Sequence, residues 1–195
     1  MVANTTLFPI FLKLTGRTVV LVGAGTVAAS KLDTLTAAGA KIRVIAPVIN
    51  KDIERSCDSI VRRPFKAEDL DGAWLVIAAA TPEVNRQVAE AAEARGIFVN
   101  AVDDPTNASA YLGGVVRRAG ITFAISTDGR APALAGILRQ GLETMLPETE
   151  LEQWLSDAER LRHKWQEDQV PIVERRPNLL EAITKHYLET KNLKQ

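Results

Sequence analysis

The chain has a single cysteine, Cys57. It therefore has no internal disulfide and no cysteine-built metal site, and a reducing cytoplasm is the compartment this usage implies. It has no net charge, since Lys and Arg together (24) match Asp and Glu (24). That excludes a nucleic-acid binder with a broad basic face, but not a local basic pocket for an acidic small molecule. Its longest apolar run, Ala73 to Ala80, falls well short of the roughly 20 residues a spanning helix needs, so no membrane partner is expected. Met1 to Leu12 carries no basic stretch and is not read as a signal peptide. The two histidines, His163 and His186, sit among charged or polar residues and are read as surface residues. No metal site is expected.

Apolar residues are plentiful. They make up 46% of 195 residues, enough for one α/β domain with a sizeable core and a smaller appendage. The informative stretch is Thr18 to Gly39. Thr18 to Val22 is β-branched, apolar and uncharged, and reads as a buried strand. Gly23, Gly25 and Ala28 follow at the spacing G-x-G-x-x-A. A helix comes next, with Val27, Leu32 and Leu35 on its inner side and Gly39 at its stop. Strand, glycine loop and helix in that order form a dinucleotide-binding context. The first glycine permits the turn, the second lets a diphosphate approach the backbone, and the helix N-terminus supplies N–H groups and a positive dipole end. The structural alternative is a tight turn in an α/β domain that binds no nucleotide.

The rest of the first half alternates in the manner of a doubly wound sheet. Leu7 to Leu14 is a greasy lead-in, expected to pack on a sheet edge. Lys41 to Ile45 reads as the second strand, ended by Ala46 and Pro47. No acidic residue follows it to hold a ribose, and Arg43 is expected to face solvent, so pattern alone does not choose between NAD and NADP. Ser59 to Arg63 is a third strand, Ala73 to Ala80 a fully buried fourth, and Ile97 to Val99 a fifth. The helix from Thr81 to about Arg95 turns Val84, Val88, Ala91 and Ala92 inward. Ligands bind beyond the carboxyl ends of such strands. Here those ends carry Gly23 to Gly25, Ala46 to Val48, Ala79 to Thr81 and Asn100 to Asp104. Asp103 and Asp104 stand where substrate would meet a nicotinamide, and either could be a general acid or base. The structural alternative is that Asp104 caps a turn before Pro105, and spacing leaves the two readings level.

Beyond residue 108 the pattern changes. Ser109 to Val116 and Ile121 to Ser126 read as two strands joined by a turn over Arg117 to Gly120. A helix follows from about Ala131 to Met145. Its start, with Ser126, Thr127 and Arg130, could take an anion or could be an ordinary capped helix. From Glu148 the chain is helical, with Leu151, Trp154, Leu155, Leu161 and Trp165 at helical spacing. Pro171 and Pro177 punctuate it, and Leu179 to Leu188 is the last helix.

Collected, these motifs resemble the precorrin-2 dehydrogenases, including the amino-terminal part of bacterial siroheme synthase and its yeast counterpart. The resemblance runs through Leu7 to Leu12, Val22 to Ala28 with Lys31, Val44 to Pro47, Ala73 to Ala80 with Asn85, Asn100 to Asp103, and Ile125 to Pro132. It implies a Rossmann-like α/β domain over 1–108, a small α+β dimerisation segment over 109–147, and a helical domain over 148–195. It implies oxidation of precorrin-2 to sirohydrochlorin with NAD⁺ on the route to siroheme and, in some organisms, cobalamin. Some relatives also insert Fe²⁺, which is then a substrate. The family's catalytic aspartate falls on Asp103. NAD⁺ would be held by Gly23, Ala24, Gly25, Thr26, Val27, Pro47, Val48, Ala80 and Thr81, and the tetrapyrrole by Asn100, Ser126, Thr127 and Arg130. Lys31, Arg117 and Arg118 are further candidates for its carboxylates. Two departures stand out. Many relatives have Phe and, three residues on, Pro where this chain has Tyr111 and Gly114, and some have a phosphorylatable serine at the position of Thr127. The chain carries no methyltransferase segment, so methylation is not expected. The alternative from another class is a non-catalytic NAD-sensing module; Asn100 to Asp103 and the helical tail speak against it.

Overall fold

A computed structural model describes the backbone over residues 6–192 and side chains over 6–185. Met1 to Thr5 and the side chain of His186 lie outside the described residues. The chain divides into two compact units, Met1–Leu112 and Gly113–Gln195.

The first unit is a five-stranded parallel sheet, β1 (Thr18–Val22), β2 (Lys41–Ile45), β3 (Ser59–Val61), β4 (Leu75–Ala78) and β5 (Phe98–Ala101), in the order β3-β2-β1-β4-β5. Helices α1 (Thr26–Ala37), α2 (Lys51–Ser56) and α3 (Pro82–Glu93) connect them. The apolar runs of β1 and β4 are continuous because both faces of a parallel sheet are covered. Alternate residues then go to opposite cores. Val20, Val22, Val76 and Ala78 pack with Val88, Ala89 and Ala92 of α3. Val19, Leu21, Leu75 and Ile77 pack with Ala28, Leu32 and Leu35 of α1 and Ile53 of α2. Each fully buried Leu, Ile or Val contributes about 1.5–3 kcal/mol. The strand order reverses at β1, which places the topological switch point beyond its carboxyl end, between β1 and β4.

Several expectations are corrected. The lead-in does not pack on a sheet edge: Phe8 and Phe11 are exposed, and only Leu14 is buried. The lead-in feeds the middle strand, which already has a neighbour on either side. Val27 is exposed, and Ala28 takes the inward place. Arg43 is half-buried, its Nη1 donating to the Asp69 carbonyl at 3.3 Å. Trp74 stands outside β4 with the Arg17 guanidinium 3.8 Å above its ring, a cation–π pair. On α3, Asn85 and Ala89 are buried, whereas Val84 and Ala91 are only partly so.

The second unit holds an antiparallel hairpin, β6 (Gly114–Arg118) and β7 (Ile121–Ile125), followed by α4 (Pro132–Met145), α5 (Glu148–Glu167) and α6 (Ile172–Asn192). The turn is only Ala119-Gly120, both at positive φ, as a two-residue hairpin loop of the first primed type requires. Arg117 and Arg118 thus belong to β6. The strand expected from Ser109 begins only at Gly114, because Ser109 and Ala110 bond back to Val99 of β5. Pro177 lies inside α6, within its first two turns. His163 is exposed, as expected.

Candidate functional site

At the end of β1 the backbone turns into α1 through Gly23, Ala24 and Gly25. The two glycines are there for different reasons. Gly23 has φ +102, and a Cβ built on it would stand 2.2 Å from the Ala79 carbonyl oxygen. Its place is dictated by the close approach of the loop to the end of β4. Gly25 has φ −86, and nothing lies within 4 Å of a built Cβ. Neither strain nor packing within the protein demands glycine there. The open space sits over the start of α1, whose first turn has no acidic residue and whose cap, Gly25, offers no side chain. A phosphate-bearing ligand fits this arrangement, because it needs close access to backbone N–H groups and an unopposed helix dipole.

A pocket of about 330 Å³ opens on the β4–β5 side of the switch point. Val27 comes from α1, Ala79 and Ala80 from the end of β4, Pro82 and Asn85 from α3, and Val102, Asp103 and Asp104 from the turn after β5. Of the residues predicted from sequence, the structure brings Val27, Ala80 and Asp103 together here. Gly23 to Thr26 and Thr81 adjoin them in the chain, while Pro47 and Val48 follow β2, with Val48 84% exposed.

The two aspartates differ in what holds them. Asp104 caps a short 3₁₀ turn, Pro105–Asn107: its carboxylate accepts from the Asn107 N–H at 3.3 Å and from Asn107 Nδ2 at 2.6 Å. Asp103 is exposed and makes no hydrogen bond or ion pair among the described residues. Its backbone is left-handed, at φ 57, a conformation that is mildly strained for a residue with a Cβ. Asn100 is buried, and its Nδ2 donates to the Ala110 carbonyl at 2.9 Å.

The remaining candidates belong to the second unit. Ser126 Oγ accepts from the Asp128 N–H at 3.1 Å, and Thr127 Oγ1 accepts from the Ala131 N–H at 3.1 Å. Both hydroxyl oxygens thus serve the turn before α4. Arg130 is largely exposed and lies 3.7 Å from Asp128. Arg118 is paired with Glu148 at 3.4 Å, whereas Arg117 is exposed.

Elsewhere, two ionisable groups are displaced from their ordinary behaviour. A bidentate hydrogen bond from Arg63, at 2.6 and 2.8 Å, holds the buried Asp69 carboxyl below the usual carboxylate range. Burial, with Asp58 beside it, pushes the Cys57 thiol up and disfavours the nucleophilic thiolate. Among the described residues there is no cluster suited to holding a metal ion and no helix long and apolar enough to cross a membrane.

Residues 10–114 match a family model described as "Putative NAD(P)-binding". The chain belongs to this NAD(P)-binding family. The siroheme synthase of Ectopseudomonas mendocina (strain ymp) is 40% identical over 144 residues, covering 72% of this chain and 31% of that protein. That of Photorhabdus laumondii subsp. laumondii is 38% identical over 164 residues, covering 82% of this chain and 34% of that protein. The chain thus spans about a third of the length of these curated relatives. A solved structure titled "SirC, precorrin-2 dehydrogenase" superposes with a TM-score of 0.65 at 23% identity, covering 92% of this chain and 100% of that one. The likeness shows that the Rossmann-like fold is shared. The glycine loop and the switch point that give an NAD(P)-binding chain its site both fall within the matched residues.

Asn85 is the residue that sequence reasoning missed as part of the site. Its Oδ1 accepts from the Ala80 N–H at 2.9 Å and so shapes the end of β4. The available signal was a polar residue one helical turn into α3, in line with the apolar Val88 and Ala92.

Proposed function

We propose that this chain oxidises precorrin-2 to sirohydrochlorin with NAD⁺, with Asp103 as the general base. The observation that carries the reading is Asp103 itself: an exposed carboxylate without a protein partner among the described residues, held left-handed at the mouth of a pocket beside the glycine loop. The names of the relatives support the substrate class. NAD⁺, when bound, supplies the hydride acceptor. Gly23, Ala24, Gly25, Thr26 and Val27 would hold its diphosphate, Pro47 and Val48 its adenosine side, and Ala80 and Thr81 its nicotinamide side. Asp103 takes, at a carboxylate oxygen, the proton that leaves the tetrapyrrole. Asp104, engaged as a cap, stays out of that role. The choice of NAD over NADP is supported by Arg43, which is turned to the Asp69 carbonyl and not toward a 2′-phosphate.

The finer assignments belong to the same reading. Residues 1–108 bind the nucleotide, 109–147 pair two copies of the chain, and 148–195 form the helical part. Pairing is supported by α4, where Leu134, Ile137, Leu138 and Met145 form an exposed apolar stripe. Asn100, Ser126, Thr127 and Arg130 contribute to tetrapyrrole binding. Fe²⁺ is a second substrate, with Asp103 removing pyrrole protons during insertion. The setting is a reducing cytoplasm, and the product serves siroheme. A non-catalytic sensing module is less well supported, because it has no need of a carboxylate held like Asp103.

The test is to incubate the protein with precorrin-2 made in situ and NAD⁺, following sirohydrochlorin and NADH by absorbance. Equal appearance of both is expected. Binding of NAD⁺ with no turnover would sink the dehydrogenase and revive the sensing module. Iron-dependent siroheme formation from sirohydrochlorin without NAD⁺, above the uncatalysed rate, tests the insertion step.

A further inference from the structure

The pocket wall contains one polar side chain that is almost wholly buried and yet only half used. Asn85 is 4% exposed. Its amide faces the Ala80 N–H at 2.9 Å. An N–H can only donate, so the atom facing it is the carbonyl oxygen, and the amide nitrogen is turned the other way. That nitrogen has no partner among the described residues. It is not sealed in either, because among the described residues no buried polar side-chain atom is left unpaired. The residue lines the pocket, which is open space for that nitrogen to face. Turned there, it would present a donor pair to a space otherwise bordered by two alanines, two valines, a proline and two carboxylates.

The position says what it would meet. The pocket lies on the β4–β5 side of the switch point, away from β2. A dinucleotide laid across a sheet of this order has its adenosine toward β2 and its nicotinamide toward β4 and β5. The nicotinamide carries a carboxamide, whose oxygen needs a donor. Asp103 and Asp104, as carboxylates, accept only. We infer that Asn85 Nδ2 donates to the carboxamide oxygen of the nicotinamide and so orients the ring against Asp103. Asn85 is thus a positioning residue. The inference rests on the dinucleotide reading above and assigns one contact within it.

Asn85→Asp keeps an oxygen for the Ala80 N–H and removes the donor. NADH and ADP-ribose are suitable probes for the whole chain, because they carry the same charge and only NADH has the ring. The effect of the new carboxylate on the shared ADP-ribose part is then common to both affinities. Calorimetric titration should show that ratio falling about tenfold in the variant, the size of one lost buried hydrogen bond. An unchanged ratio overturns the inference and leaves the dinucleotide site standing. If the unaltered protein binds neither probe, the dinucleotide reading fails and this contact fails with it. Should Asn85→Asp not fold, the unaltered protein is titrated with NAD⁺ and with its thionicotinamide analogue, whose C=S is a poor acceptor. Several-fold weaker binding of the analogue is expected, and equal binding overturns the inference.

Discussion

Among the described residues, the first unit buries apolar side chains on both faces of its sheet, whereas beyond Leu112 the only buried apolar residues are Val116, Ala135, Leu151 and Trp165. Both units leave large apolar residues exposed; in the second they are Leu134, Ile137, Leu138, Met145, Ile172, Val173 and Leu180. The difference follows from architecture. A parallel sheet flanked by helices closes its core within one chain. A two-stranded hairpin with three helices has too little depth to bury as much. The first unit therefore holds most of the buried core among the described residues, and the second little of it.

The largest effect that sharpens this contrast is on catalysis. Asp103→Ala should lower turnover by about 10²–10⁴-fold with NAD⁺ binding retained. Arg130→Ala in the second unit should raise KM and leave kcat near its original value. Steady-state kinetics on both variants checks the split, and unchanged turnover in Asp103→Ala would remove that residue from the mechanism. Packing comes next. Ile77→Ala, at a fully buried position, should destabilise the protein by about 2–5 kcal/mol in denaturant unfolding. Leu138→Ala, at an exposed position, should stay within about 0.5 kcal/mol at low protein concentration. Equal losses would break the comparison between the units.

The glycine loop offers a smaller contrast inside the first unit. Gly23→Ala should cost at least about 2 kcal/mol, since its Cβ meets the Ala79 carbonyl and its φ is positive. Gly25→Ala should leave stability unchanged or slightly raised while weakening NAD⁺ binding, because only a ligand contests that space. Thermal unfolding and calorimetry separate the two. The smallest effect concerns acid. Asp69, held low by Arg63, adds stability that is fully present above the ordinary carboxylate value of about 3.9 and is lost as pH falls through its lowered value. Asp69→Asn should flatten the loss of stability below about pH 4, and unfolding at pH 7 and pH 3 would show it.

Much of the first unit was legible residue by residue. β1 and β2 fall on the residues expected, because β-branched runs beside a glycine turn leave little choice of conformation. Asp104 as a turn cap and Asp103 beside the pocket were both open readings, and local geometry separated them. The buried polar groups were not legible. Arg43 bonds to the Asp69 carbonyl far along the chain, Asp69 to Arg63, and Asn85 to the Ala80 N–H at the end of β4, and periodicity treats such residues as facing water. Phe8 and Phe11 misled in the opposite direction, being apolar and yet exposed.

Local chemistry along the chain determined β1 and β2, the glycine turn and the start of α3 at Pro82, since each depends on neighbours within a few residues. What the tertiary structure alone decided is which glycine is required by packing and which leaves room for a ligand, and which aspartate is engaged and which is open. The first depends on residues far apart in sequence, since β1 and β4 become neighbours only when the sheet has formed; the second depends on how a short turn after β5 closes.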